Sequence, residues 1–598
     1  MDVWTFVEKL TPGTMLRRLM EGSPPTRCVG CSARRLPALI PGVLLAAGIV
    51  VALASTAALE QSNDSLSYLV KARDGHRLFH PHHLVFNAAV RALYLGLDST
   101  AGARDVVLAA QVHNLVFTFV ALLAVYWIGL RWLKSQLLGL IGLALYGSTT
   151  AILVYATQAE VYVPAVAVLG VAAAFFLMLV ESPASTSARA GLVAAWVLAV
   201  LYHQTAVLFL IPIAITVLLS RRWELARAVA VVSALAGAVV LGAYWIAYRA
   251  MAAESSEMGS FLDFIFSYAV TPGVRWGSAA NFSWSGVARL LESHVWGLST
   301  LIPARPGVLI AVAVTGGAAV ISAWWLANQR ERLLLSFAVS WALTFLAFFV
   351  WWLPEETEFA VLTSMPICLA VMAGVSTLVL SSRCGAAGAR VVAAGIMVVT
   401  ALNFWGGIRF EVLPRHRTMG EAFEQARFLS TFDDGSTLRL SSFNVSGTLR
   451  FYFGGSPDSI HVIDNLERAL HVGTTPPSWM VRTAWARVIV DLAEIEPRNL
   501  HSGRDGFHEP ETWLRMMRWI FDLRVDEGDW YADDWGIVSD GHGNSYIVVT
   551  KGSRSLSEPR QLLVQLVDEL ELRSPTRRAF MRWMKVNPER LNGSLVRE

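Results

Sequence analysis

Between residues 36 and 408 the chain carries ten stretches nearly or wholly free of charge: 36–59, 106–130, 137–159, 161–180, 191–220, 228–248, 306–329, 333–354, 359–382 and 391–408. A helix crosses a hydrocarbon core with about 20 apolar residues, and in lipid each segment must satisfy its own backbone hydrogen bonds. Runs of this length therefore predict a bundle of membrane-spanning helices. With 54% apolar and 16% charged residues, the composition excludes an ordinary soluble protein. The net charge of +3 gives no ground for a nucleic-acid partner, because the basic residues are accounted for by short loops.

One stretch needs a choice. Residues 191–220 suit one tilted helix by length, but Tyr202-His203-Gln204 interrupts the middle. Short cytoplasmic loops collect Lys and Arg. A single crossing would put Arg221-Arg222 outside and invert every later loop. A hairpin of two short helices leaves Arg131 and Lys134, Arg189, Arg221-Arg222, Arg330 and Arg332, and Arg383 and Arg390 on one side, with Arg17, Arg18, Arg27, Arg34 and Arg35 of the N-terminus. The hairpin gives eleven spans and places His203 and Gln204 at a shallow outward-facing turn, where polar groups require a cavity or partners.

The expected fold is an α-helical polytopic membrane protein with a C-terminal extracytoplasmic α/β domain. Residues 1–35 form a cytoplasmic segment lacking the features of a cleavable signal peptide, 36–408 the membrane domain, and 409–598 the soluble domain. Cys28 and Cys31 have the spacing of half a zinc site, without a second pair nearby, and read as reduced thiols.

Two outer segments, 60–105 and 251–305, exceed plain connections. In the first, Leu84, Val85, Ala88, Leu93 and Tyr94 can line one helix face with Arg91 toward water. In the second, Val287, Leu290, Leu291, Val295 and Trp296 do the same, with Arg289, Glu292 and His294 opposite. Both patterns predict helices lying in the membrane interface. Trp276, Trp284 and Trp296 fit an aromatic belt. From 409 onward, a helical pattern at 419–430 precedes β-type runs at 437–440, 459–463 and 487–491. A hairpin signal follows, where 535–538 and 545–549 flank Asp540-Gly541-His542-Gly543-Asn544.

The first outer loop holds the densest chemistry: Asp64, then Asp74 and His76, then His80-Pro81-His82-His83. A carboxylate here can take the proton from an acceptor hydroxyl; the alternative is a helix-capping role. His80, His82 and His83 have the spacing for a metal site but read better as structural or phosphate-contacting groups. Lys71, Arg73, Arg77 and Arg91 surround the same loop and can hold a donor phosphate or anionic lipid headgroups. Glu160 and Tyr162 stand at the turn between the third and fourth spans, and Glu355, Glu356 and Glu358 at the turn after the ninth. The expected topology puts all of these on the side of Asp64 and His203.

Asp64 in an outer loop, His80-Pro81 shortly after, Glu160-Val161-Tyr162 heading a span, and His203 within a short hairpin together resemble the GT-C superfamily of membrane glycosyltransferases. The likeness is nearest to bacterial members of the protein O-mannosyltransferase type. It includes the Glu358-Phe359 lead-in to Pro366 and a soluble domain after the last span, and covers most of residues 36–470. Ser67 stands where relatives often have a second acid, and His82-His83 where they commonly have Pro and Gly. The resemblance implies a polyprenyl-phosphate-linked sugar donor, Asp64 as catalytic base, and a glycan, lipid or protein acceptor outside a bacterial plasma membrane. It implies donor or substrate contacts at Arg73, Arg77, His80, His82, His83, Glu160, Tyr162, His203 and Glu358. No cofactor is required, and a divalent metal is permitted. Membrane lipids are the other expected partners. A transporter or lipid flippase, or a non-catalytic membrane scaffold, is the competing reading. Acids gathered at one face without an internal repeat argue against transport.

Overall fold

The computed structural model describes residues 36–101, 105–254, 259–266, 282–303, 305–380, 385–433, 436–441, 443–454, 459–462, 487–491, 534–540 and 544–550. The N-terminal segment with Cys28 and Cys31, Arg383, Cys384, Trp276, the hairpin tip 541–543 and the expected C-terminal helix 559–598 lie outside them. The described chain falls into two compact units. One holds residues up to Glu60, from Lys71, and up to Thr418; the other holds Gln61–Val70 and the chain from Met419.

The first unit is a helical bundle. Its elements begin α1 (Leu36–Ser55), α2 (Asn63–Asp74, which continues from the other unit), α3 (Phe86–Ala101), α4 (Val106–Arg131), α5 (Gln136–Gly147), α6 (Thr150–Tyr155), α7 (Tyr162–Glu181) and α8 (Thr186–Tyr202). A 3-10 turn (Gln204–Phe209) leads into α9 (Leu210–Ser220), α10 (Trp223–Glu254), α11 (Phe261–Ile265) and α12 (Trp284–Leu298). Then come α13 (Pro306–Leu326), α14 (Gln329–Trp352), α15 (Ala360–Leu380), α16 (Gly385–Gly407) and α17 (Leu413–Arg417). Among the described residues, eight helices are long and apolar enough to cross a membrane, and Gln136–Gly147, Thr186–Tyr202 and Gln204–Ser220 are shorter apolar helices. The protein is an integral, polytopic α-helical membrane protein. Caps mark several starts: Asp105 accepts from Val107 N and Leu108 N at the head of α4, and Asn328 and Glu331 form a capping box at α14.

The apolar stretch 191–220 is broken at His203, whose backbone is extended (φ −155°, ψ 123°). The chain leaves one end of the bundle and returns to it. Glu181, at the C-terminus of α7, pairs with Arg131 at 2.8 Å and with Arg330, and Arg222, just after α9, donates to the Val180 carbonyl. Arg189 donates to the Pro183 carbonyl at 2.9 and 2.6 Å. Arg131, Arg189, Arg222 and Arg330 thus share one end of the bundle, while Tyr162 and His203 stand at the opposite ends of α7 and α8. A second break was not expected. Residues 137–159 divide at Ser148-Thr149 into α5 and α6. Asn403 of α16 repairs it, donating to the Ser148 and Leu298 carbonyls at 2.7 and 2.8 Å. Thr150 Oγ1 accepts from Thr300 N at 3.2 Å.

The two outer helices form; α3 buries a different face from the expected one, and α12 buries more than the expected stripe. In α3 the buried positions are Phe86, Asn87 and Val90, and Arg91 turns inward, donating to the carbonyls of Ala72 and Arg73 at 2.9 and 2.8 Å. In α12 Leu290 and Val295 of the expected stripe are buried, and so are His294, Gly286, Ser293 and Gly297, because small residues let this helix approach its neighbours. A Cβ on Gly297 would lie 2.2 Å from the Ala360 Cβ.

The second unit contains α18 (Glu421–Ser430), β1 (Thr437–Ser441), α19 (Phe443–Phe453), β2 (Ile460–Val462), β3 (Arg487–Asp491), β4 (Asp534–Ser539) and β5 (Ser545–Thr550). The sheet order is β2-β1-β3-β5-β4. β1 pairs parallel with β2 and β3, whereas β5 pairs antiparallel with β3 and β4. Ala426, Leu429, Val445, Leu449, Ile460, Ile489 and Tyr546 form its core.

Candidate active site

The centre of the site is one four-residue turn. His83 N donates to His80 O at 3.1 Å, and this closure stacks the two imidazoles, 4.2 Å apart and 12° from parallel. His82 N donates to His80 Nδ1 at 3.3 Å. Tyr244 of α10 donates to the Pro81 carbonyl at 2.6 Å. Gln204 N donates to the His82 carbonyl at 2.8 Å, and Val85 N to the Leu201 carbonyl at 3.1 Å. The donor from Gln204 is free because the helix breaks at His203. The interruption in an apolar stretch is what docks the His-Pro turn.

His203 is brought to the same place. Its Nδ1 accepts from Thr205 N at 3.3 Å and lies 2.7 Å from Thr205 Oγ1. Its ring centroid is 4.6 Å from Tyr162 and 6.5 Å from His82. Trp352, at the end of α14, lies 6.0 Å from His82 and stacks on Phe348. Tyr162 packs edge-on against Phe359 at 5.6 Å. Burial pushes the His82 imidazole down to about 4. Burial first, then the Lys71 ammonium, holds His80 well below its ordinary value; burial, His80 and Lys71 do the same for His83. The turn presents uncharged imidazoles at neutral pH, with the cationic Lys71 beside them.

The carboxylates arrive on two other turns. Asn114 of α4 donates to the carbonyls of Gln158 and Glu160 at 2.7 and 2.8 Å, and Gln111 donates to those of Ala58 and Thr157 at 2.7 and 3.0 Å. Glu160 is fully buried. Tyr155 Oη lies 2.6 Å from Thr357 Oγ1, within electrostatic range of both Glu160 and Glu358. His113 Nε2 meets Tyr202 Oη at 3.0 Å, tying α4 to the end of α8.

Not every expected residue joins this group. Arg73 pairs with its neighbour Asp74 at 2.8 Å. Arg77 is exposed, in a left-handed conformation (φ 51°), and its N–H donates to Glu254 at 3.1 Å. Arg91 closes the end of α2 where Gly75 has φ +78°, and a Cβ on Gly75 would meet the guanidinium at 2.5 Å. Of the four cations, Lys71 is the one set against the histidines. Asp64 is half-buried in the first turn of α2. Among the described residues, no group of three His, Cys, Asp or Glu side chains is placed to hold a metal ion. Sequence reading missed Gln111, His113, Asn114 and Trp352. The first three carried a signal, since polar residues inside a membrane stretch demand partners.

No protein-family model matches the chain, and no curated protein matches it. Among solved structures it is similar to ArnT from Cupriavidus metallidurans bound to undecaprenyl phosphate, with TM-score 0.48 and 13% identity over 86% of this chain and 99% of that one. It is also similar to the Archaeoglobus fulgidus oligosaccharyltransferase in complex with Zn and sulfate, with TM-score 0.45 and 12% identity over 84% of this chain and 72% of that one.

Proposed function

We propose that the protein is a GT-C-type glycosyltransferase. In this reading it moves a sugar from a polyprenyl-phosphate-linked donor to an acceptor at the bundle end opposite Glu181, with Asp64 as general base. The observation that supports it best is the gathering of His203 and Lys71 around the uncharged His80 and His82 of the His-Pro turn. Neutral imidazoles can donate to phosphate or sugar oxygens without their own desolvation charge, and an adjacent ammonium offsets the phosphate.

The acceptor oxygen attacks the anomeric carbon while the bond from that carbon to the phosphate oxygen breaks. Polyprenyl phosphate leaves with the bonding electrons, and the hydroxyl proton passes to Asp64. Phosphate is a good leaving group, so the step needs no metal. Glu160, Tyr162 and Glu358 line the same end and suit sugar or acceptor hydroxyls. Arg73 and Arg77 serve in this reading as peripheral contacts for phosphate. The acidic end faces away from the cytoplasm, in a bacterial plasma membrane.

The decisive experiment follows label from a panel of polyprenyl-phosphate sugars in purified membranes, for wild type and Asp64→Asn. The expected result is transfer of one sugar by wild type and a loss of at least about 100-fold in the variant, with unchanged insertion. Equal transfer by both would remove Asp64 from the chemistry. A transporter reading has one observation in its favour, the interrupted helices at Ser148-Thr149 and His203. Lipid-donor translocation without transfer in proteoliposomes would select it.

A further inference from the structure

At the arginine-rich end of the bundle, away from the histidines, α13 and α14 diverge around an apolar groove of about 330 Å³. Val320, Ile321, Trp324, Leu335, Ser336 and Val339 line it. The polar atoms of its wall satisfy each other, since Trp324 Nε1 donates to Ser336 Oγ at 3.2 Å. Nothing there recommends the groove to water, which needs two or more polar partners to stay. Its depth spans about one helical turn below the tryptophan level on each helix, about 6 Å.

A cation stands at the mouth. Arg332 donates from Nε to the Trp324 carbonyl at 3.0 Å and from Nη2 to the Trp325 carbonyl at 3.2 Å. Its guanidinium carbon lies 5.2 Å from the Trp324 ring centroid. These contacts fix the guanidinium over the end of α13, and the residue remains exposed. Arg131, Arg189, Arg222 and Arg330 mark the same end, the Arg-rich distribution of a cytoplasmic face, where the leaflet is anionic. Trp324 and Trp325, with the latter 70% exposed, are suited to the headgroup boundary.

We propose that this groove is a binding site for an anionic phospholipid. One acyl chain lies along Val320, Leu335 and Val339, and the headgroup phosphate meets Arg332. Arg332 supplies selectivity through charge, and the groove supplies retention through buried apolar area. The site is independent of the sugar chemistry at the other end.

Native mass spectrometry of the full chain, released from nanodiscs of equal phosphatidylglycerol and phosphatidylcholine, tests it. Wild type should retain phosphatidylglycerol at least about fivefold over phosphatidylcholine, about 1 kcal/mol. Arg332→Gln should bring the ratio near one. Val339→Phe, which fills the groove and leaves Arg332 in place, should reduce retention of both lipids. Arg305→Gln, at the other end of α13, should change neither. Equal retention of the two lipids by wild type, or a phosphatidylglycerol preference that survives both Arg332→Gln and Val339→Phe, would overturn the assignment.

Discussion

Three imidazoles within four residues, at His80, His82 and His83, are kept uncharged by burial, which the ammonium of Lys71 reinforces at His80 and His83. In an unfolded chain each takes a proton near its ordinary value of about 6.5. In the folded protein His82 does so only at about 4, and the other two are likewise held low. Between these values the unfolded state binds more protons than the folded one, so stability rises with pH there. The stabilisation is complete above about 6.5 and is lost as pH falls toward 4, with an upper limit of about 3 kcal/mol from His82 alone. Thermal unfolding between pH 7.5 and 4.5 should show this slope for wild type and a shallower one for His82→Gln. An identical slope in the two proteins would contradict the assignment. The histidines were legible in sequence as a group, because their spacing is local. Their neutrality was not, because it depends on burial under Tyr244 and against Leu201, which are more than a hundred residues away.

At the scale of elements, hydropathy located the spans because lipid imposes one requirement along a whole helix. It also located the break at His203, where three polar or aromatic residues interrupt the run. The break at Ser148-Thr149 escaped, since small hydroxyl residues satisfy themselves on preceding carbonyls: Ser148 Oγ donates to Leu145 O, and Thr149 Oγ1 to Tyr146 O. In α12 Leu290 and Val295 are buried as the hydrophobic stripe requires, and His294 is buried beside them because Gly286, Ser293 and Gly297 allow close packing on that side too. The turns themselves rest on α4. Replacing Asn114 with Leu leaves the buried Gln158 and Glu160 carbonyls without their side-chain donor, at a cost of about 2–4 kcal/mol. It also frees the turn that presents Glu160 and Tyr162. The expected outcome is a lower Tm and, at temperatures where the protein stays folded, transfer reduced by tenfold or more, since small misplacements are costly in catalysis. A loss of Tm with unimpaired transfer would show that this turn does not position substrate.

For the whole molecule, the division of labour follows from which unit holds which groups. The histidine turn, Lys71, Glu160, Tyr162 and Glu358 belong to the helical unit, and the mixed sheet belongs to the unit that holds Gln61–Val70, Asp64 included, and the chain from Met419. The last residues of the helical unit are bound to it firmly. The Arg415 carbonyl accepts from Leu59 N and Glu60 N at 2.9 and 3.1 Å, His416 Nδ1 meets the Ala57 carbonyl at 2.8 Å, and Trp296 donates to Glu411 at 3.3 Å. A chain ending near 409 would lose these contacts, and the loop that leads to α2 would lose its anchor. A chain ending after Thr418 keeps them. Such a truncation should retain polyprenyl-phosphate binding within about threefold of wild type, because the phosphate contacts we propose lie in the helical unit. Its acceptor range should change, because the sheet unit is the part with a water-exposed, non-membrane composition. Donor binding by filter retention, set beside transfer to a panel of glycan, lipid and peptide acceptors, separates the two effects. An unchanged acceptor range would assign acceptor choice to the bundle, and lost donor binding would place part of the phosphate site beyond Thr418.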